Sequence, residues 1–421
     1  MKRIILLILI LILTLLFINC DNYTHNSISN TDPANYINLD LVKAFGGYDD
    51  DWGEDLAITS DLSCYLAGRT ASFGYGASHS YLVKVNSDNE LVWEKYYGGK
   101  GEDATKAISL VDDSLLYLLG YTTSFDITTG KKVDPADHPE FKFDDFNFYL
   151  IKTNLEGISY WEKPYGLLGT DEFATDIKIL SDGIVLAGYS QSDIDINLFL
   201  VKTDYDGDTI WTSTFSSTNL TRAFSLAVTS DNNFIAAGDA KTAFGQKTDC
   251  YIAKVSASGQ PIWEATFGES ELEEGIQAIL PVNDGVICSG YLISPGDENL
   301  NDGVLLILKV DLSGNLVWKY SYLTVKGNQS NCLEQSSSGN FLVVTNNTAT
   351  NETTFTKFDS DGQLLWTQKK GHGAAKGLRH FPNDPIDRYI MTGQSDFPEF
   401  TSNVNVSYII VSEDLTNVEL K

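Results

Sequence analysis

Methionine is nearly absent from this chain, at two residues in 421. That scarcity suits a core packed by β-strands rather than helices. Histidine is scarce as well, and His25, His79, His138, His372 and His380 share no metal-ligand spacing. The five cysteines contain no CxxC and no close pair, which excludes a sequence-encoded zinc site or redox pair. No GxSxG, HExxH or phosphate-cradling glycine loop occurs. Basic residues are few, 29 Lys and Arg against 57 Asp and Glu, for a net charge of −28. Such a surface repels phosphate backbones and anionic headgroups, so nucleic acid and acidic lipid are poor partners. It is read first as a solubility device, with cations or basic partners as the functional counterpart.

What is present is a sentence written six times. Residues 82–99, Leu-Val-Lys-Val-Asn-Ser-Asp-Asn-Glu-Leu-Val-Trp-Glu-Lys-Tyr-Tyr-Gly-Gly, give an apolar strand ending in Lys84, a polar turn, and a second strand carrying Trp93. The same order returns up to Trp161, Trp211, Trp263, Trp318 and Trp366. Six of seven tryptophans therefore occupy one repeat position. Aligned on these signals, the chain divides into units of about fifty residues: 45–96, 97–164, 165–214, 215–266, 267–321, 322–370 and 371–420. Each unit opens with an alternating strand A and a turn. Strand B follows and ends in a recurrent glycine: Gly68, Gly120, Gly188, Gly238, Gly290 and Gly393, with Thr345 in the sixth unit. Strand C ends in the recurrent lysine, and strand D carries the tryptophan.

Four short strands per unit, joined by hairpin turns, predict an all-β fold: a single seven-bladed β-propeller of four-stranded antiparallel blades over residues 37–421. With 43% apolar and 12% aromatic residues, the chain has ample material for such a core. The last unit lacks its tryptophan strand. Both Ile37–Gly47, with Leu41 at the tryptophan position, and Val418–Lys421 could supply it. The need to cover sheet edges favours the N-terminal segment, as a strap joining the two ends of the chain.

The N-terminus reads as a lipoprotein-type signal peptide, residues 1–19. A basic start, Met1-Lys2-Arg3, precedes the apolar run Ile4–Ile18, which is short of the ~20 residues that span a bilayer. Phe17-Ile18-Asn19-Cys20 resembles a bacterial lipobox, with Phe17 and Asn19 where that pattern has Leu and a small residue. The resemblance implies cleavage before Cys20 and acylation of its thiol, palmitate being one such chain. Polar residues 21–36 then form a flexible tether. Two or more acyl chains anchor a protein stably, and the lipobox resemblance implies a bacterial cell-envelope location, with the outer membrane expected.

The core Lys-x-Asp/Asn-x-x-Gly-x-x-x-Trp, as in Lys202–Trp211 and Lys309–Trp318, resembles the tryptophan-docking, quinoprotein-like propeller repeats of bacterial secreted and lipid-anchored proteins. The resemblance implies that Trp93, Trp161, Trp211, Trp263, Trp318 and Trp366 pack structurally between adjacent blades. Each would bury ~150–250 Å², worth several kcal/mol at ~25 cal/mol per Å². The family's quinone-dependent dehydrogenases carry an adjacent cysteine pair that this chain lacks, so neither that activity nor a cofactor is expected.

Function is sought where the repeat fails. The cluster Asp49, Asp50, Asp51, Trp52, Glu54 and Asp55 gathers five carboxylates around the one tryptophan outside the repeat position, and is a candidate ligand or cation site. The insertion from Thr122 to Asn147, with the related loops Thr70–Ser80 and Ser294–Asp302, is a candidate rim. The turn Asp204-Tyr-Asp206-Gly-Asp208 has calcium-like spacing, but every unit carries a polar turn here for hairpin reasons. The expectation is a non-enzymatic binding or protein-interaction platform with a protein or glycan ligand. The alternatives are an envelope-assembly scaffold, which should expose an apolar edge, and a glycan-acting hydrolase or lyase, which should gather acidic and aromatic residues at one end of the channel.

Overall fold

The structure, a computed structural model, describes residues 23–25, 37–134, 145–215, 220–241, 247–269, 271–294, 303–326, 329–347, 352–372, 374–382, 384, 387–395 and 404–413. Cys20, the segment 1–19, most of the tether, residues 135–144 and 295–302 of the candidate rim, and 417–421 lie outside them. Among the described residues, no helix is long and apolar enough to cross a membrane.

The chain is a seven-bladed β-propeller, each blade a four-stranded antiparallel sheet. The innermost A strands are Asp51–Ile58, Asp103–Val111, Asp171–Leu180, Thr221–Val228, Glu273–Val282, Gln329–Gln335 and Ala374–His380. Each packs on the next, and the seventh packs back on the first, closing the ring. The core between blades is built from the apolar rows of strands B and C. Leu118, Leu119, Leu150 and Ile151 are fully buried in blade 2, and Leu306, Ile307 and Leu308 in blade 5. Such runs are apolar on both faces because each blade is covered on both sides, so they do not alternate as a half-exposed strand would. Cys64, Cys250, Cys288 and Cys332 are free thiols inside this core.

The seventh blade is completed from the other end of the chain. Ile37–Phe45 pairs antiparallel with Asn405–Glu413, Val42 opposite Ile409 and Phe45 opposite Val406, as its outermost strand. This strap leaves blade 7 without the C–D turn that blades 1 to 6 possess. A short strand, Tyr23–His25, runs parallel along the outer edge of blade 5.

The blades interlock through one repeated contact. Trp93, Trp161 and Trp211 each lie against the C–D turn glycine of the following blade, Gly157, Gly207 and Gly259, where a Cβ would meet the indole at 2.8 Å. Trp263 and Trp318 face Gly314 and Gly362 in the same way, at 3.0 and 2.9 Å. The recurrent lysine reaches the same turns: Lys152 Nζ donates to the Tyr205 carbonyl at 2.8 Å. Trp366, ahead of the strapped blade, packs instead in a cluster that includes Ile37. At the junction of blades 7 and 1, Leu41 stands in the tryptophan position, and the facing turn carries Asn89 rather than glycine, with φ +63°. Lys43 Nζ and the Tyr408 hydroxyl hold Asn89 there, at 2.5 and 2.6 Å.

Candidate functional site

Six of the seven A strands carry a β-bulge that leaves a single residue out of the ladder. In chain order these residues are Glu54, Lys106, Thr175, Phe224, Gln277 and Lys376. All six line one cavity of about 530 Å³ at the mouth of the central channel. A bulge turns the unpaired side chain out of the sheet's own alternation, and a ring of blades points each one at the axis. The recurrent strand-B glycine is the cause. Gly120 pairs with Thr105 just before the bulge, and a Cβ on Gly120 would sit 1.7 Å from the Ala104 carbonyl oxygen. Gly68, Gly188, Gly238, Gly290 and Gly393 stand in the same relation, at 1.8–2.0 Å. In the sixth blade, where Thr345 replaces the glycine, the irregularity spans Gln329 to Cys332 and takes two residues out of register.

The cavity has two unlike walls. Blades 2 to 4 supply an aromatic arc: Tyr121 meets Phe146 edge-on at 5.3 Å, Phe146 meets Phe173 at 5.4 Å, Phe173 stacks on Tyr189 at 5.2 Å, and Tyr189 meets Phe224 edge-on at 6.5 Å. Arg222 lies over Phe224, with its guanidinium held by both oxygens of fully buried Asp239 at 2.9 and 2.6 Å. Blades 7, 1 and 2 supply charge. Lys106 Nζ donates to Glu54 Oε1 at 2.5 Å. Burial opposes the Lys106 charge, but the Glu54 carboxylate more than offsets it and holds its pKa above the ordinary lysine value. Burial pushes the Lys376 amine below its ordinary value, with Glu54 opposing that shift and Lys106 adding to it.

Deeper in the channel, the residue after the bulge ties one blade to the next at three of the six positions. Asp55 Oδ2 accepts the Ile108 amide at 3.1 Å, Asp176 Oδ2 the Leu226 amide at 2.8 Å, and Ser225 Oγ the Ile279 amide at 3.3 Å. Burial raises the Asp55 pKa, and Arg379, at 2.8 Å from Oδ1, counters it. Burial likewise raises Glu334, against the same arginine.

The acidic stretch proposed from the sequence is distributed over four environments. Asp49 is at the surface beside Ser72, and Asp50 Oδ1 accepts the Val404 amide. Asp51 is fully buried, its Oδ2 accepting the Gly47 amide and the Ser72 hydroxyl, each at 2.8 Å. The Trp52 ring lies 3.8 Å beneath the Arg69 guanidinium. Glu54 lines the cavity, and Asp55 forms the deeper belt. Alternation along a strand separates neighbours in this way, and among the described residues no three His, Cys, Asp or Glu side chains gather to hold a metal ion. In the calcium-like turn, Asp204 Oδ1 caps the amides of Asp206 and Asp208 at 2.9 and 2.8 Å, and Lys163 takes Asp208.

The insertion after Thr122 begins directly beyond Tyr121, so it springs from the same face as the cavity. Its described part folds as a small hairpin, Phe125–Asp126 against Lys131–Lys132. Sequence reading missed Lys106, Thr175, Phe224, Gln277 and Lys376. Their signal was the strand-B glycine, which marks where each A strand must bulge.

A second surface feature also repeats. The residue before each docking tryptophan, among them Val92, Tyr160, Ile210, Ile262, Val317 and Leu365, is about half exposed on the outer strand.

Fold and site together define a seven-bladed β-propeller with a charged and aromatic channel mouth. No protein-family model matches the sequence, and no curated protein is similar to it. Among solved structures, the chain is similar to hydrazine synthase of Kuenenia stuttgartiensis, with a TM-score of 0.55 at 11% identity, over 86% of this chain and 96% of that one. It is also similar to BBS1N in complex with ARL6DN, with a TM-score of 0.52 at 8% identity over 91% and 99% (the mercury-soaked crystal). At these identities the likeness is one of fold.

Proposed function

We propose that this protein is a non-enzymatic binding platform of the bacterial cell envelope, tethered to the outer membrane through lipidated Cys20 and engaging its ligand at the channel mouth. The observation that carries the binding reading is the convergence of one bulge residue from each of six blades on a single cavity. The repeat brings the six positions together, and the side chains they carry, two lysines, a carboxylate, a hydroxyl, an amide and an aromatic ring, match ligand pockets, which combine apolar walls with a few directed polar groups. The anchor is supported by the basic start, the apolar run and the cysteine that ends it. A binding role is favoured over glycan hydrolysis because the cavity-lining carboxylate, Glu54, is ion-paired with Lys106, whereas glycosidases set two carboxylates across the scissile bond.

Fractionation and mass spectrometry test the anchor. Wild type should sediment with membranes and begin at an acylated Cys20, and Cys20→Ser should be soluble. An intact Met1 or an unmodified Cys20 thiol refutes it. Capture from native envelopes tests the site: Phe224→Ala should lose components that wild type retains. The outer apolar residues favour a second reading, an assembly scaffold, in line with the protein partner of BBS1N. Under that reading, Tyr160→Ser with Ile210→Ser would lose the captured protein and Phe224→Ala would not.

A further inference from the structure

The tether meets the propeller at one defined place. Its described strand, Tyr23–His25, adds to the outer edge of blade 5, with Tyr23 opposite Lys319, Thr24 opposite Tyr320 and His25 opposite Ser321. An outer strand presents a row of backbone N–H and C=O groups, and an added strand satisfies them. The pairing is parallel, so the tether runs in the direction of Leu316–Lys326 and arrives from the end at which that strand begins. That end is the C–D turn, where the Asp311 amide donates to the Asn315 carbonyl at 3.0 Å. Cys20 stands three residues before Tyr23, at most about 10 Å of extended chain. The anchoring cysteine is thereby confined to the C–D-turn corner of blade 5.

That corner differs in chemistry from others around the ring. The turn of blade 5 packs on blade 4, where Trp263 Nε1 donates to the Leu312 carbonyl at 3.1 Å, so the turn ends of the two outer strands meet there. Pro261 and Ile262 open one strand and Leu316 and Val317 the other, and all four are exposed, Ile262 at 50% and Val317 at 45%. The turn of blade 4, Ser256-Ala-Ser-Gly-Gln260, has no charged residue. In the turn of blade 5, the Asp311 carboxylate accepts the Ser313 and Asn315 amides and Asn315 Nδ2, at 2.8 to 2.9 Å. The same turns carry Asp88 and Glu90 in blade 1, Asp204, Asp206 and Asp208 in blade 3, and Asp359 and Asp361 in blade 6. Those turns repel phosphate-bearing headgroups, whereas an apolar and uncharged corner can rest among them.

The cavity opens at the other end of the blades. Each outer strand runs from its C–D turn to the loop that begins the next A strand, and the bulge residues stand in the first half of the A strands, Glu54 in Asp51–Ile58 and Gln277 in Glu273–Val282.

We infer that the docked tether seats the anchored protein on the bilayer by the corner of blades 4 and 5, with Pro261, Ile262, Leu316 and Val317 against zwitterionic headgroups and the channel mouth turned away from the membrane. This rests on the anchor reading above and names the surface that meets the lipid.

The test uses the full lipidated protein in phosphatidylethanolamine–phosphatidylcholine vesicles that carry a headgroup spin label. Ile262→Cys, Val317→Cys, Tyr160→Cys and Tyr75→Cys each receive a fluorophore, since Cys64, Cys250, Cys288 and Cys332 are buried. Tyr160 lies on the outer strand of blade 2, and Tyr75 is exposed in the loop between strands B and C of blade 1. Labels at 262 and 317 should be quenched several-fold more than those at 160 and 75. Replacing Tyr23, Thr24 and His25 with proline removes the amides that a paired strand needs. It should bring all four labels to one level with sedimentation unchanged. Stronger quenching at 75 than at 317 overturns the orientation. Equal quenching at all four sites with the native tether overturns the seating, while sedimentation with the vesicles still upholds the anchor. Preferential quenching at 262 and 317 that survives the three prolines overturns the role of the docked strand. Recovery of the native-tether protein in the soluble fraction removes the anchor reading and this inference with it.

Discussion

The Trp161 indole lies so close to Gly207 that a Cβ on the glycine would stand 2.8 Å from Cη2 of the ring. Gly207 also has φ +78°, and its carbonyl accepts the Tyr165 hydroxyl at 2.7 Å. One residue thus makes the turn of blade 3 and receives blade 2. Gly169 has nearly the same φ, +79°, but a Cβ there would meet nothing within 4 Å, so it separates the two requirements.

Gly169→Ala should cost about 1 kcal/mol, the left-handed backbone alone. Gly207→Ala should cost about 1–3 kcal/mol more, as overpacking does. In a Trp161→Ala background that excess should shrink without vanishing, because the Cβ would still meet the Tyr165 hydroxyl at 2.9 Å and Lys163 Cδ at 3.0 Å; urea denaturation should show the two glycine substitutions drawing closer.

The strap predicts an asymmetry between the chain ends. Deleting residues 36–44 uncovers the edge of Asn405–Glu413 and leaves Trp366 without Ile37. The truncated protein should lose most of its thermal stability and aggregate through the open edge. Deleting 417–421 should leave the melting temperature nearly unchanged. Equal melting temperatures of the two truncations would refute the strap's role.

Glu172 supplies a pH dependence. It is fully buried, and burial raises its pKa to about 7 despite hydrogen bonds from Thr170, Ser190 and the Leu167 amide. The unfolded chain releases this proton near 4.5 and the folded chain only near 7, so the folded state holds more protons in between and stability falls as pH rises through that window. Glu172→Gln should remove the slope and be more stable than wild type at pH 8, by on the order of 2–3 kcal/mol. Melting curves from pH 4 to 8 would show it.

Arg379→Met should destabilise the channel by on the order of 2 kcal/mol. A stranded buried charge costs more, but Arg379 is partly exposed. Losing the arginine removes the influence that opposes burial at Asp55, so the folded-state pKa rises further and the loss appears as pH climbs above the usual carboxylate range. Asp55→Asn in the same chain should recover part of the stability at pH 8 and little at pH 4.

Much of this architecture was legible from local pattern. The period of about fifty residues, the hairpin turns and the Lys–Gly–Trp spacing set blade number and strand order, because each blade is a local antiparallel sheet whose turns are encoded in a few residues. The site was not legible in the same way. Tyr48–Asp55 looked like one acidic cluster, yet strand alternation and the bulge send Asp51 into the blade, Trp52 under Arg69, Glu54 into the cavity and Asp55 to the belt. Lys106 and Lys376 stand 270 positions apart and carry no motif.

By itself, then, the sequence determined a ring of seven four-stranded blades and the residues that lock them. Tertiary structure decided which chain end closes the ring and which residues face the axis. The locks repeat because each is a contact between neighbours, and the chain makes the tryptophan–glycine form of it five times over. The channel mouth draws single residues from six blades, and only closure of the ring brings Glu54, Lys106, Phe224 and Lys376 into one space.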